Sequence, residues 1–210
     1  MRLRNVKGKE EILEKASFLI KDFSSYKGKW NELFHNHHPI YLEIGMGKGK
    51  FLIENAKKYP DINFIGIEKY DSVLAKAIQR VDEELPNLLF IRADASQIQD
   101  IFDHEIDRIY LNFSDPWPKN RHHLRRLSSS SFLEKYDSIF KNMAIIEMRT
   151  DNLELFRYSL ISFSQAKYIF EKLSFDFHKD EMPEVTTEYE DKFSENGMPI
   201  YYVICRKDCH

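Results

Sequence analysis

With 210 residues, 42% of them hydrophobic and 31% charged, the chain has the size and balance of one globular domain with a real core. A net charge of -3 excludes a uniformly cationic nucleic-acid binder, so any such partner must be met by local patches. Two cysteines exclude a disulfide framework, and the absence of a long apolar run or hydrophobic signal region predicts a protein of the reducing cytoplasm with no membrane partner.

In chain order, the first nine residues carry Arg2, Arg4, Lys7 and Lys9 with no acid. Residues 9–23 have the spacing of an amphipathic helix. His35, His37 and His38 lie in a short loop and are expected to be solvated. From residue 40, short apolar segments alternate with helical ones. The segments 40–44, 63–68, 88–92, 106–113 and 143–148 read as buried strands, and 50–58, 72–84, 97–102 and 130–141 as helices. Tyr59-Pro60-Asp61 and Leu85-Pro86-Asn87 end two of these helices, and Asp71 or Ser72 caps the second. A long helix is expected from 153 to about 172, then strands over 173–178 and 200–206. The polar stretch 179–197 between those strands is long for a connection, hence functional or disordered. Cys205, Cys209 and His210 make a poor metal site, and no metal is expected.

This alternation predicts an α/β fold: a doubly wound, mostly parallel, Rossmann-like sheet with an antiparallel C-terminal strand. The whole chain, 1–210, reads as a single domain, with a basic extension and helix over 1–39 ahead of the core at 40–210.

The first of the core strands runs into Glu43-Ile44-Gly45-Met46-Gly47-Lys48-Gly49. Glycines at the end of a first strand let a ligand approach the backbone. A dinucleotide fingerprint would space them G-x-G-x-x-G to seat a pyrophosphate. Here the spacing is G-x-G-x-G, and Glu43 would repel a pyrophosphate but suit the amino group of S-adenosylmethionine. Glu68 closes the second core strand, where a carboxylate can accept ribose hydroxyls. Asp94 closes the third, where it can accept from an adenine amine. Three acids at three consecutive strand ends read as an S-adenosylmethionine site, with Glu43, Gly45, Gly47, Glu68 and Asp94 as its residues.

The fourth core strand leads into Asn112-Phe113-Ser114-Asp115-Pro116-Trp117-Pro118-Lys119, a proline-stiffened turn at the edge where open α/β sheets bind ligands. The cationic run holding Lys119, Arg121, Arg125 and Arg126 follows at once. A held carboxylate beside a phosphate-binding segment suggests chemistry on a nucleic acid, with Arg2 and Arg4 as further phosphate contacts.

On these motifs, together with Thr150-Asp151-Asn152 and Thr187-Glu188-Tyr189-Glu190-x-Lys192-Phe193, the chain resembles the bacterial tRNA (guanine-N7-)-methyltransferase family over essentially its full length. It departs at Leu153-Glu154, at Lys141-Asn142 and in a shortened loop around 180–185. The resemblance implies a class I S-adenosylmethionine-dependent methyltransferase that modifies guanine N7 at nucleotide 46 of the tRNA variable loop. It also implies cofactor and catalytic roles for Glu43, Glu68, Asp94 and Asp115, and substrate contacts for Lys119, Asp151, Thr187, Glu188, Tyr189 and Glu190.

The chemistry agrees with these residue types. Guanine N7 carries a lone pair and no proton, so it needs no base. The purine becomes cationic on transfer, and Asp115 is the candidate carboxylate to follow that charge. Trp117 either stacks on the base or packs the turn. Two rival readings stay open: methylation of another RNA or of an exocyclic amine, and a non-catalytic RNA-binding module. Monomer and homodimer are equally compatible with the sequence.

Overall fold

Apolar runs of five or six residues such as 40–44 and 63–68 are too short for helices, and burial on both faces lets them pair as central parallel strands. The structure is a computed structural model that describes residues 6–195 and 197–209. In chain order, α1 (Lys9–Lys15), β1 (Leu19–Ile20) and α2 (Trp30–Phe34) precede β2 (Ile40–Ile44), α3 (Lys50–Lys58), β3 (Asn63–Glu68), α4 (Asp71–Ile78), β4 (Leu88–Arg92) and α5 (Ile98–Ile101). Then come β5 (Arg108–Asn112), α6 (Ser130–Asp137), β6 (Met143–Thr150), α7 (Leu153–Gln165), β7 (Ile169–Ser174), α8 (Phe177–Asp180), α9 (Glu188–Glu195) and β8 (Tyr201–Asp208).

The eight strands form one sheet in the order β1-β4-β3-β2-β5-β6-β8-β7. All neighbours pair in parallel except β8, which runs antiparallel to both β6 and β7. This is the expected mostly parallel sheet with an antiparallel C-terminal strand. The strand order reverses between β2 and β5, and ligands of open α/β sheets bind outside the carboxyl ends of strands at such a point.

Period-two alternation sends Ile65, Ile67 and Ile91 to one face of the sheet and Phe64 and Phe90 to the other. Helix α3 lies close against β3: a Cβ added at Gly66 would stand 2.2 Å from Met46 Sδ and 2.7 Å from Leu52. Glycine at 66 therefore sets how near the glycine-rich turn comes to the sheet. Cys205 is buried in the core, and no described helix is long and apolar enough to cross a membrane.

Several boundaries differ from the sequence expectation, each for a physical reason. The helix expected over 9–23 stops at Lys15. Beyond it Leu19–Ile20 joins the sheet edge, with Phe90 N–H donating to Phe18 O at 2.8 Å. The helix expected over 72–84 ends at Ile78, ahead of Asp82, Glu83 and Glu84, whose charges oppose a helix C-terminal dipole. The helix expected to reach 172 ends at Gln165, where Lys167 turns left-handed at φ 65° and β7 starts. The stretch 179–197, expected to be a functional or disordered connection, contains the helix α9. Arg2, Arg4 and His210 lie outside the described residues.

Candidate active site

The carboxyl ends of β2, β3, β4 and β5 open onto two adjoining clefts of about 810 and 730 Å3. Both are bordered by Gly45, Val73 and Phe113. Glu43, Asn112, Glu188 and Tyr189 face the first, and Glu68, Asp94, Asp115, Trp117 and Arg125 the second. The structure thus brings together four of the acids that the sequence singled out at successive strand ends.

Glu43 lies on β2, 2% exposed, and accepts from Asn112 Nδ2 at 2.9 Å. Burial pushes its carboxyl up to about 8, against the lowering pull of the Asn112 hydrogen bond and the Arg149 charge. Glu43 Oε2 and Asn112 Oδ1 are both buried without a hydrogen-bond partner. Buried polar atoms are nearly always satisfied, so two neighbouring orphan acceptors call for a donor, and an ammonium group carries three. The residues present therefore fit the cationic end of S-adenosylmethionine. Between β2 and α3, Gly45 and Gly47 take φ of 76° and 59°, which turns the backbone around the cleft.

Glu68, at the end of β3, accepts from the backbone N–H groups of Lys69 (2.8 Å), Tyr70 (2.9 Å) and Gly47 (3.1 Å). Burial raises its pKa, the three N–H donors oppose that rise, and the nearby charge of Asp115 adds to it. A carboxylate has about four acceptor sites, so one remains for an incoming hydroxyl and release of Gly47 frees a second. Asp94 caps the turn Ala95–Gln97 in a reciprocal capping box. Lys69 Nζ at 2.8 Å and the Ser96 N–H hold its pKa down at about 2. It stands ionised on the cleft rim.

Past β5, Phe113 and Trp117 adopt left-handed φ of 49° and 42°, a strained conformation for bulky residues. That bend leaves Asp115 exposed at the cleft. The following cations form a short 3-10 helix, Asn120–Arg125. Lys119, Arg121 and Arg125 are exposed, and the Arg125 guanidinium sits 5.1 Å from the Trp117 ring centre.

Arg126, expected to grip phosphate, is buried. Its Nε donates to Pro116 O at 2.9 Å and its Nη2 to Trp117 O at 3.1 Å, with the guanidinium 4.3 Å from the Tyr158 ring centre. Two turn carbonyls draw it inward, so it braces the Asp115 turn.

The segment around α9 corrects a second group. Thr187 Oγ1 accepts the Glu190 N–H at 3.0 Å, and Glu190 Oε2 accepts the Thr187 N–H at 3.1 Å, which makes a capping box. Glu190, expected to meet the base, is fully buried and also takes Arg149 Nη1 at 3.1 Å and His178 Nε2 at 2.8 Å. Glu188 and Tyr189 alone of these four keep side chains substantially open to the cleft. Lys48 Nζ holds Glu188 at 2.9 Å, and Arg80 holds its other oxygen. Burial works to raise the Glu188 pKa, but these two cations outweigh it and leave it lowered. Asp151 follows β6 directly and is absent from the described lining of both clefts.

Two residues had no role in the sequence reading. Asn112 stood inside the quoted motif, and its place at a strand end was the available signal. Arg149, 6% exposed on β6, pairs with Glu147 at 3.1 Å and donates to Val185 O at 2.9 Å. An arginine directly after the strand-like run 143–148 was the mark available.

A family model described as "Putative methyltransferase" matches residues 37–203. A protein of Lachnoclostridium phytofermentans named tRNA (guanine-N(7)-)-methyltransferase is 46% identical over 212 residues, covering 99% of each chain. One of the same name from Bacillus subtilis is 45% identical over 205 residues, covering 96% of each. Among solved structures, an antibiotic-related methyltransferase matches with a TM-score of 0.63 at 13% identity, over 86% of this chain and 93% of that one. A variant 16S rRNA (adenine(1408)-N(1))-methyltransferase of Catenulisporales acidiphilia, with its cosubstrate SAM, matches at 0.61 and 10% identity, over 86% and 90%. At those identities the structural likeness is one of fold.

Proposed function

The chain belongs to the tRNA (guanine-N(7)-)-methyltransferase family, and from that premise we propose that it methylates N7 of the guanine at nucleotide 46 in the tRNA variable loop, with S-adenosylmethionine as donor. The observation that carries the cofactor assignment is the pair of orphaned buried acceptors, Glu43 Oε2 and Asn112 Oδ1, at the head of the glycine turn. When bound, S-adenosylmethionine supplies an electrophilic methyl on a cationic sulfur. Glu43 and Asn112 hold its ammonium, Glu68 accepts a ribose hydroxyl, and Asp94 accepts from the adenine amine.

Asp115 then faces the reacting purine. Guanine N7 presents its lone pair unaided, so the chain moves no proton to start the reaction. The carboxylate of Asp115 stabilises the positive charge that grows on the ring, and a preorganised charge does this at no reorganisation cost. Its turn is braced for that task by Arg126 and by two prolines. Alignment of N7 with the methyl supplies much of the remaining acceleration.

The target guanine must be unstacked to reach this site. Glu188 offers the acceptor on the substrate side, and Lys119, Arg121 and Arg125 grip flanking phosphates. The test is transfer of labelled methyl from S-adenosylmethionine to unmodified tRNA. The modified nucleotide is located by borohydride and aniline cleavage, because N7-methylguanine weakens its own ring. Cleavage at nucleotide 46 is expected; label without cleavage would place the methyl on another atom and overturn the reading.

A further inference from the structure

Phe113 and Tyr189 come from opposite sides of the cleft, one from the end of β5 and the other from α9. Their rings stack with centres 5.8 Å apart and planes inclined by 27°. Phe113 is backed by the buried cluster of Phe177, Ile200 and Tyr202. Tyr189 is 53% exposed and lines the cleft. Its position is nonetheless fixed, because its two neighbours are pinned: Glu188 by Lys48 and Arg80, Glu190 by Arg149 and His178. Phe113 holds its left-handed backbone at φ 49° with its N–H on Arg149 O at 2.8 Å. Strain of this kind persists only where the surroundings over-determine it, and it clusters at functional sites.

We infer that Tyr189, backed by Phe113, is the platform on which the target base stacks, and that it favours the methylated base over the unmethylated one. This rests on the proposed reaction at guanine N7. As N7 takes the methyl, its lone pair forms the new bond, the sulfur keeps the electrons of the old one, and no proton moves. The purine thereby becomes a cation, and a cation is attracted to an aromatic face more strongly than a neutral ring is. Stacking binds both states, while the charge term grows only along the reaction. The platform therefore adds to catalysis from the face of the base, where Asp115 acts as a fixed charge. It also implies slow release of modified tRNA.

The test compares Tyr189→Phe, Tyr189→Leu and Phe113→Leu with the wild type. Two quantities are read: the single-turnover rate of methyl transfer, and the affinities for N7-methylated and unmodified tRNA with S-adenosylhomocysteine present, at mildly acidic pH where the methylated base keeps its charge. Wild type and Tyr189→Phe should prefer methylated tRNA by roughly threefold to thirtyfold, the range a cation over a ring supplies. Tyr189→Leu should reduce that preference to the part Asp115 supplies and slow transfer by a similar factor. Phe113→Leu should fall between them. A Tyr189→Leu protein that keeps both rate and preference overturns the platform while leaving the reaction at N7 standing. If the wild type leaves guanine N7 unmethylated, the reading of the reaction falls and the platform with it.

Discussion

On one wall of the paired clefts, Glu43, Glu68 and Asp94 stand at the ends of β2, β3 and β4, where a parallel ladder holds the strands, nearby backbone N–H groups hold Glu68 and Asp94, and Asn112 holds Glu43. On the facing wall, Glu188 and Tyr189 ride on α9, which meets the rest of the chain through charges far away in sequence. Glu184 meets Lys58 at 2.5 Å, Asp191 meets Lys50 at 2.5 Å, and Glu190 meets Arg149 inside. The first wall is fixed by the fold. Among the described residues, the second is held by a buried anchor and a rim of half-exposed ion pairs, and these differ in strength. Breaking a buried pair leaves an uncompensated charge, whereas a surface pair contributes little and is screened by salt.

The largest way to break this comparison is Arg149→Met. It removes the cation that Glu147 and Glu190 share and leaves Glu147 with Arg108 and Glu190 with His178, at a cost of up to about 3–5 kcal/mol. The urea midpoint should fall steeply with an unchanged slope. A midpoint like that of the wild type would mean that the second wall does not hang on this anchor.

Asp115→Asn comes next, keeping the turn while deleting the charge. Loss of one preorganised electrostatic partner typically costs roughly a hundred- to a thousandfold in rate. Single-turnover transfer at saturating cofactor and tRNA should drop accordingly, with tRNA affinity little changed. A rate within a few-fold of wild type would reduce Asp115 to a turn-former.

A smaller effect sharpens the first wall. Glu43 holds its proton up to about 8, yet a cationic ligand needs its carboxylate. Binding therefore favours the deprotonated form. Affinity for S-adenosylhomocysteine should be low at acidic pH, climb by at most about tenfold per pH unit, and flatten above about 8. Calorimetry should register proton release, and Glu43→Gln should abolish the slope. A flat profile in the wild type would remove Glu43 from the ligand's ammonium.

The smallest effect concerns the rim. Asp191→Asn, which cuts the pair with Lys50, should cost only about 0.2–1 kcal/mol. Raising salt should speed hydrogen exchange along residues 184–192 while amides of β2, β3 and β4 stay protected. Equal salt response in both walls would dissolve the distinction.

The same contrast explains what the sequence could disclose. The strands at 40–44, 63–68 and 88–92 and the helix at 50–58 fell at the expected positions, because burial on both faces and nearby Pro and Gly signals are local facts. The acids at their ends followed from the same local logic. Helix α9 did not, because its residues are polar and its capping box becomes decisive only beside Arg149 and His178. For the same reason Glu190 looked like a free acceptor in sequence and is a buried anchor in space. Arg126 misled in the opposite way: a member of a cationic run, it is drawn inward by two carbonyls that no periodicity marks. Thr187 and Glu190 matched a family motif correctly while the motif concealed how much of it is scaffold.

The strand order β6-β8-β7 places a later-made strand between two earlier ones. Synthesis runs from the N-terminus, so β2, β3, β4 and β5 can assemble with their acids while β8 is still inside the ribosome. Strand β7 has no partner until β8 arrives, and α9 lies in the connection between them. A nascent chain should therefore gain its cofactor pocket well before its grip on the base. During that interval the sheet ends at β6, whose unpaired edge with Ala144, Ile146 and Met148 awaits β8, and the growing polypeptide is then most in need of a chaperone.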